Sequence, residues 1–311
     1  LEYPHQPVLV QEVVRDLITA KDGIYVDGTV GNGGHSKAIG EKISSKGRLI
    51  CLDRDSEAVR LSRERLSPLG ERVTVLKGNY AELIEVLQGL GIERVHGIFL
   101  DLGISSHQLE KSGRGFSFNR DERLDMRMDL DDKLTAHNMI NILSPRELEK
   151  ILREYGEEKR ARKIVKSIDR ERRKGPIDSS LHLADLIQSV IPVSHHPRAR
   201  HPATRTFQAL RIAVNKELEN LKVLLDRVPP LLNEGGRLVI ISYHSLEDRM
   251  VKQAMMNWEK GCTCPPDLPY CGCGKVPLFK RVHKKGTKPA LREVEMNPRA
   301  RSATLRAAER I

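Results

Sequence analysis

The sequence predicts an α/β protein, a mostly parallel sheet flanked by helices and interrupted by an inserted helical domain. Three observations predict it. Four short apolar runs alternate with helical stretches in the first third of the chain, which is the pattern of strands buried on both faces. The next run of that kind comes only at residues 237–242. The gap from Asp101 to Arg237 is far longer than the single helix a right-handed crossover needs, so most of it is an insertion.

In order, Gly23-Ile24-Tyr25-Val26-Asp27 is the first strand, a Gly-rich loop follows, and residues 36–44 read as a helix. Residues 48–53 form the second strand, 56–66 a helix, 73–76 the third strand, 81–87 a helix and 95–101 the fourth strand. Residues 145–174, 181–191 and 206–225 carry helical spacing with little strand signal. These features divide the chain into an α/β domain at 1–105 and 216–311 and an inserted helical domain at 106–215.

The 311 residues include 53 Lys and Arg against 42 Asp and Glu, a net charge of +11. Residues 1–105 hold 13 basic and 15 acidic side chains, 106–220 hold 23 and 18, and 221–311 hold 17 and 9. A near-neutral front and a basic remainder suggest a small-molecule site followed by a polyanion surface. The densest basic run lies at 159–174, where a solvated helix face is the competing explanation. A second run lies at 280–288. Aromatic residues are only 4%, which argues against an aromatic stacking platform for single strands. No apolar run is long enough to span a bilayer, and no charged-then-apolar leader is visible, so no membrane partner and a cytoplasmic location are expected.

The loop Asp27-Gly28-Thr29-Val30-Gly31-Asn32-Gly33-Gly34-His35 joins the first strand to its helix. Its glycines let the backbone pass close to a ligand, with free helix N–H groups behind. Asp53 ends the second strand, where a carboxylate can accept both hydroxyls of a ribose. The spacing of Gly28, Gly31, Gly33 and Gly34 does not fit the G-x-G-x-x-G of a dinucleotide site, which disfavours a nicotinamide-dependent oxidoreductase. It fits the acid-x-x-x-Gly-x-Gly loop of Rossmann-like class I methyltransferases that use S-adenosylmethionine. An acid at the strand tip suits the positive charges of that cofactor. Tyr80, just past the third strand, is placed to pack against adenine or to serve as a core residue.

In such sheets the ligand lies beyond the carboxyl ends of the strands. Asp101 ends the fourth strand and is therefore expected near the transferred methyl. A carboxylate there can hold an exocyclic amine by one N–H and aim its nitrogen. Methylating carbon 5 of a pyrimidine would require a thiolate. Cys51 lies within the second strand, and the other four cysteines crowd 262–273, so nitrogen or oxygen is the expected acceptor. Ser245 and Asp248 suggest a capping box after the fifth strand. His244 is placed either to face the pocket or to serve structurally. Arg205, Gln208, Arg211 and Asn215 share one helix face, suited to phosphates or to intramolecular pairing.

The chain closely resembles the bacterial ribosomal RNA small subunit methyltransferase H family, the 16S rRNA cytosine-N4 methyltransferases of MraW type. The resemblance runs nearly end to end. It covers His5-Gln6-Pro7-Val8-Leu9, the 27–36 loop, residues 101–108, Arg114-Gly115-Phe116-Ser117-Phe118 and Leu124-Asp125-Met126-Arg127-Met128. It continues through Tyr155-Gly156-Glu157-Glu158, residues 201–211 and 242–249, and Asn297-Pro298-Arg299-Ala300-Arg301-Ser302. It implies S-adenosylmethionine contacts at Gly33, Gly34, His35, Asp53, Tyr80, Asp101 and Gln108. It also implies a cytidine of the decoding region as target, within 16S rRNA or the small ribosomal subunit. An RNA-binding protein with a vestigial cofactor fold is disfavoured, because the loop, Asp53 and Asp101 are all intact.

No metal is expected in the reaction itself. Cys262, Cys264, Cys271 and Cys273 could ligate zinc, form disulfides or remain thiols, and the sequence leaves these open. Not all family members share these cysteines, which removes them from any common catalytic machinery.

Overall fold

A computed structural model describes residues 7–191, 201–262, 264–265, 267–270 and 272–311. His5, Gln6 and Cys271 lie outside the described residues. The chain divides into two compact units. One holds the described residues of Leu1–Gly103 and Leu218–Ile311, and the other is Ile104–Glu217.

The first unit is built on a seven-stranded sheet of β1 (Ile24–Asp27), β2 (Arg48–Asp53), β3 (Val73–Lys77), β4 (Val95–Asp101), β5 (Leu232–Ser242), β6 (Phe279–Arg281) and β7 (Thr304–Arg310). The spatial order is β3-β2-β1-β4-β5-β7-β6. The first five strands are mutually parallel, while β7 runs antiparallel to both β5 and β6. After β1 the chain moves outward through β2 and β3, then returns to place β4 on the other side of β1. That reversal opens a crevice at the carboxyl ends of β1 and β4, where open α/β sheets bind ligands.

Both sheet faces are covered, and the strands show it residue by residue. Val26, Ile98, Leu100, Leu238 and Ile240 point into one core with α4 (Leu83–Gly89), α11 (Glu217–Arg227) and α12 (Ser245–Lys260). Tyr25, Phe99, Val239 and Ile241 alternate into the opposite core with α1 (Val10–Leu17) and α2 (Gly34–Lys42). Period-2 alternation into two dry cores explains why these strands read as continuous apolar runs. Each fully buried aliphatic side chain contributes about 1.5–3 kcal/mol. The crossover after β2 is α3 (Ser56–Leu66), capped by Asp55, whose side chain accepts from Glu57 N.

The second unit packs α5 (Ser106–Glu110), α6 (Ala136–Ile142), α7 (Pro145–Glu154), α8 (Ala161–Arg172), α9 (Ser180–Val190) and α10 (Thr204–Asn215) around its own core. Ser105, Thr135 and Ser144 start α5, α6 and α7 with reciprocal capping boxes. The segments Arg114–Phe118 and Leu124–Met128 form a tied loop. Arg114 donates to the carbonyls of Arg127 and Met128, and Asn215 bridges Met126 O and Met128 N.

Several elements differ from expectation. The 145–174 stretch is two helices, and so is 206–225, which breaks where Lys216 takes φ 51°. β5 begins five residues earlier than its apolar run, past a register irregularity opposite Val95 and Gly97. α1, β6 and β7 are additional. Among the described residues no helix is long and apolar enough to cross a membrane.

Candidate active site

The loop after β1 is shaped from within. Gly33 is the N-cap of α2 at φ 75°, a left-handed conformation that favours glycine. A Cβ on Gly28 would lie 2.5 Å from Leu100 Cδ2 and 3.1 Å from Tyr80 Cβ. The loop thus passes tightly between β4 and Tyr80. Asp27 is buried and committed to this shape, since it accepts from Ser36 Oγ at 2.6 Å and Thr29 N at 3.1 Å. Its carboxyl is raised to about 6 by burial, opposed by the Ser36 hydroxyl. Asp27 thus serves the shape of the loop from a buried position at the tip of β1.

Asp53 is half-buried at the tip of β2. Oδ2 accepts from Gly31 N at 2.9 Å and Oδ1 from Asp55 N at 2.9 Å. Each oxygen keeps one further lone pair, a pair of acceptors suited to two vicinal hydroxyls. Burial raises this carboxyl to about 6, against the two backbone hydrogen bonds. Tyr80 opens a short turn after β3, half-buried and packed on the core that holds Leu83. It stands beside the glycine loop while also serving as a core residue.

Asp101 sits at the tip of β4. Oδ1 accepts from Tyr243 Oη at 2.8 Å, and its backbone N donates to Thr29 Oγ1 at 2.6 Å. His35 Nδ1 lies 3.6 Å from Asp101 Oδ2. The His35 ring is buried, and burial lowers its pKa, so it is neutral at pH 7. His35 Nε2 lies 2.8 Å from Val8 O, a pure acceptor, so Nε2 carries the proton and Nδ1 is bare. A bare nitrogen therefore stands beside a carboxylate oxygen at the tip of β4. Gly34 lies under Pro7, with its added Cβ 3.0 Å from Pro7 Cγ. Gln108 is buried at the third position of α5, where its Oε1 accepts from Ser105 N in the capping box. It belongs to the second unit.

The structure thus brings Gly33, Gly34, His35 and Asp101 to one rim at the carboxyl ends of β1 and β4, with Asp53 and Tyr80 along the neighbouring strand tips. Sequence reasoning missed Tyr243. It lies one residue past β5, and only the pairing of β5 with β4 brings it onto Asp101. Burial and the adjacent Asp101 raise its phenol well above the usual range, so it stays protonated and donates. The cap of α12 is also one residue earlier than expected. His244, not Ser245, is the N-cap, and Glu247 reciprocates. His244 is buried in that structural role, with Nε2 3.1 Å from Glu247 Oε1. The α10 face is likewise intramolecular in large part. Arg211 pairs with Glu217 at 2.8 Å, Gln208 donates to Tyr155 O, and Asn215 ties the 126–128 loop. Cys51 is buried, its thiol pushed up by desolvation, which makes it unfit as a nucleophile.

A parallel sheet with an antiparallel β7, a glycine loop after β1 and acids at the tips of β2 and β4 define a class I methyltransferase, with S-adenosylmethionine as cofactor. The chain belongs to the MraW methylase family, whose profile matches residues 2–311. It is 48% identical over 310 residues to the ribosomal RNA small subunit methyltransferase H of Caldicellulosiruptor bescii, covering 99% of this chain and 100% of that one. The protein of that name from Geotalea uraniireducens is 47% identical, with 100% and 99% covered. That from Symbiobacterium thermophilum is 46% identical, with 99% and 96% covered. Among solved structures, a putative rRNA-methylase from Clostridium thermocellum aligns over 97% of this chain and 95% of its own, with a TM-score of 0.45 at 11% identity.

Proposed function

We propose that the protein methylates the exocyclic N4 of a cytidine in the decoding region of 16S ribosomal RNA. The name shared by the curated relatives supports ribosomal RNA of the small subunit as substrate. The observation that carries the chemistry is the Asp101 carboxylate at the tip of β4, held by Tyr243, while the Cys51 thiol is buried and pushed up. The family resemblance supplies the cytosine N4 position and the decoding region.

The residues present fit the cofactor. Asp53 offers two acceptors to the ribose hydroxyls. Gly33 and Gly34 let the chain approach closely. The facing acceptors His35 Nδ1 and Asp101 Oδ2 suit a positively charged or N–H donor. Tyr80 flanks the adenine position, and the family resemblance implies a further cofactor contact at Gln108. When bound, S-adenosylmethionine supplies an electrophilic methyl on sulfur. Asp101 accepts one N–H of the cytosine amine, which favours pyramidal nitrogen and aims its lone pair. As the methyl left its sulfur for the nitrogen, the S–C bond would break and the Asp101 carboxylate would take up the amine proton and pass it to solvent. Tyr243 keeps the carboxylate in place through its hydrogen bond.

The inserted unit supplies RNA recognition. On α8 the apolar residues Ala161, Ile164, Val165 and Ile168 are buried, while Arg162, Lys163, Lys166 and Arg170 are exposed. Arg162, Lys166, Arg170 and Arg173 outnumber Glu149 and Asp169 around a groove of about 320 Å³ beside Pro145. A phosphate backbone is the natural occupant of such a cationic face. The experiment is methyl transfer from labelled S-adenosylmethionine to rRNA and to small subunits, followed by nucleoside analysis. N4-methylcytidine is the expected product, and label on carbon 5 or on ribose oxygen would refute the assignment.

A further inference from the structure

We propose that Cys262, Cys264 and Cys273 bind a zinc ion that organises the loop between α12 and β6. The Sγ atoms of these three cysteines all lie within 4.8 Å of one another. Cys273 Sγ is 3.7 Å from Cys262 Sγ. Tetrahedral zinc with Zn–S bonds of about 2.3 Å separates its sulfurs by about 3.8 Å, so this edge already has the length a shared ion needs. None of the three is in a disulfide.

Between its tied ends the loop buries little among its described residues. From Pro265 to Pro277 the described residues are exposed, apart from Cys273. Leu268 and Tyr270 are 51% and 86% exposed, so its apolar side chains build no core. A segment that cannot bury enough apolar surface needs a staple, and a metal is one such staple. Zinc is the divalent ion best matched to a set made only of thiolates.

The backbone brings the two cysteine clusters together without the metal. Gly261 takes φ 65° immediately before Cys262, and Gly274 takes φ 61° immediately after Cys273. A Cβ on Gly261 would lie 2.5 Å from Pro277 N and 2.6 Å from Val276 C, so the two ends of the loop pass in contact there. Leu278 N donates to Trp258 O at 2.9 Å, and Glu259 pairs with Arg281. The base of the loop is therefore tied by protein contacts alone. On zinc binding each thiol releases its proton to solvent and forms a Zn–S bond, with a fourth donor completing the tetrahedron.

The test uses the full chain, expressed with zinc, purified under reductant without chelator, and analysed for metal by mass spectrometry. One zinc per chain is expected. Cobalt added to the chelator-stripped protein should give the visible spectrum of a tetrahedral thiolate site. Cys264→Ser and Cys273→Ser should each reduce bound zinc to background. Both variants should keep their circular dichroism and their affinity for S-adenosylmethionine, because the loop base does not depend on the metal. A metal-free parent whose thiols are all alkylated in the native state would overturn the proposal. So would a parent that carries a disulfide among these cysteines, or Ser variants that retain stoichiometric zinc.

Discussion

At the scale of single residues, Asp53 gives a pH-dependent signature. Its carboxyl is raised to about 6 by burial, and the ionised form is the one that accepts two hydroxyls. Affinity for S-adenosylmethionine should therefore be level above that value and fall with acid below it, approaching tenfold per pH unit. Asp53→Asn keeps one acceptor and cannot titrate, so calorimetry across pH should show weaker and flatter binding. Losing a charged acceptor costs about 1.5–3 kcal/mol, or roughly ten- to a hundredfold in affinity. Parental affinity in this variant would remove Asp53 from the ribose. Asp101 should behave differently. Asp101→Ala should lower the single-turnover rate at saturating cofactor more than it weakens rRNA binding, the pattern of a lost transition-state contact. Tyr243→Phe leaves the carboxylate but removes its 2.8 Å donor. Its rate should drop by roughly tenfold, about 1.5 kcal/mol, with cofactor affinity near the parent's. An unchanged rate in Tyr243→Phe would show that Asp101 needs no positioning. Asp53 and Asp101 could be found in the sequence because each ends an apolar run. Tyr243 could not, since its partner lies across a strand pairing that the linear pattern does not reveal.

At the scale of elements, helix α8 separates charge engaged within the fold from charge left on its outer face. Arg172 reaches inward to the carbonyls of Ile140 and Leu143, and with Arg173 it pairs with Asp169. Arg162, Lys166 and Arg170 stay exposed on the outer face. Replacing these three by Gln should leave helicity intact, because Gln has a similar helix propensity. The slope of log affinity for rRNA against log salt should become shallower by roughly 2 if each contacts a phosphate. A parental slope would return this face to the role of a solvated helix surface. The sequence exposed the parallel strands well, because doubly buried strands leave unbroken apolar runs. It hid β7, whose Thr304-Leu305-Arg306-Ala307-Ala308-Glu309-Arg310 carries charge inside the sheet. Arg306 there is satisfied by Asp248 at 2.8 Å, and Glu309 by Arg237 and Lys280. The breaks at 155–160 and at Lys216 were hidden for another reason, since amphipathic spacing continues across a short kink without losing its period.

At the scale of the whole molecule, the surplus of +11 is not uniformly available to a polyanion. The last third of the chain has the largest net positive charge, yet much of its 280–288 run is engaged within the fold. Lys280 pairs with Glu309, Arg281 with Glu259 and His283 with Asp16, while Lys288 donates to Thr304. Lys284 and Lys285 are exposed, as are Lys280 and Lys288, which are engaged with Glu309 and Thr304. A paired cation presents little net field to a phosphate, so the C-terminal run should act mainly as a fold element. Rate of rRNA methylation should fall steeply with ionic strength, because releasing counterions from the RNA drives association. Cofactor affinity should hardly change over the same titration, since Asp53, His35 and Asp101 lie in a partly desolvated rim where screening is weak. Replacing Lys284 and Lys285 by Gln should then raise the rRNA dissociation constant less than the triple Gln replacement on α8, with the parent's thermal stability retained. Neutralising Arg281 instead should lower thermal stability, because Glu259 loses its partner at the base of the 262–273 loop. If the Lys284 and Lys285 replacements weakened rRNA binding more than the α8 set, the RNA path would run over the C-terminal run and not over the inserted unit.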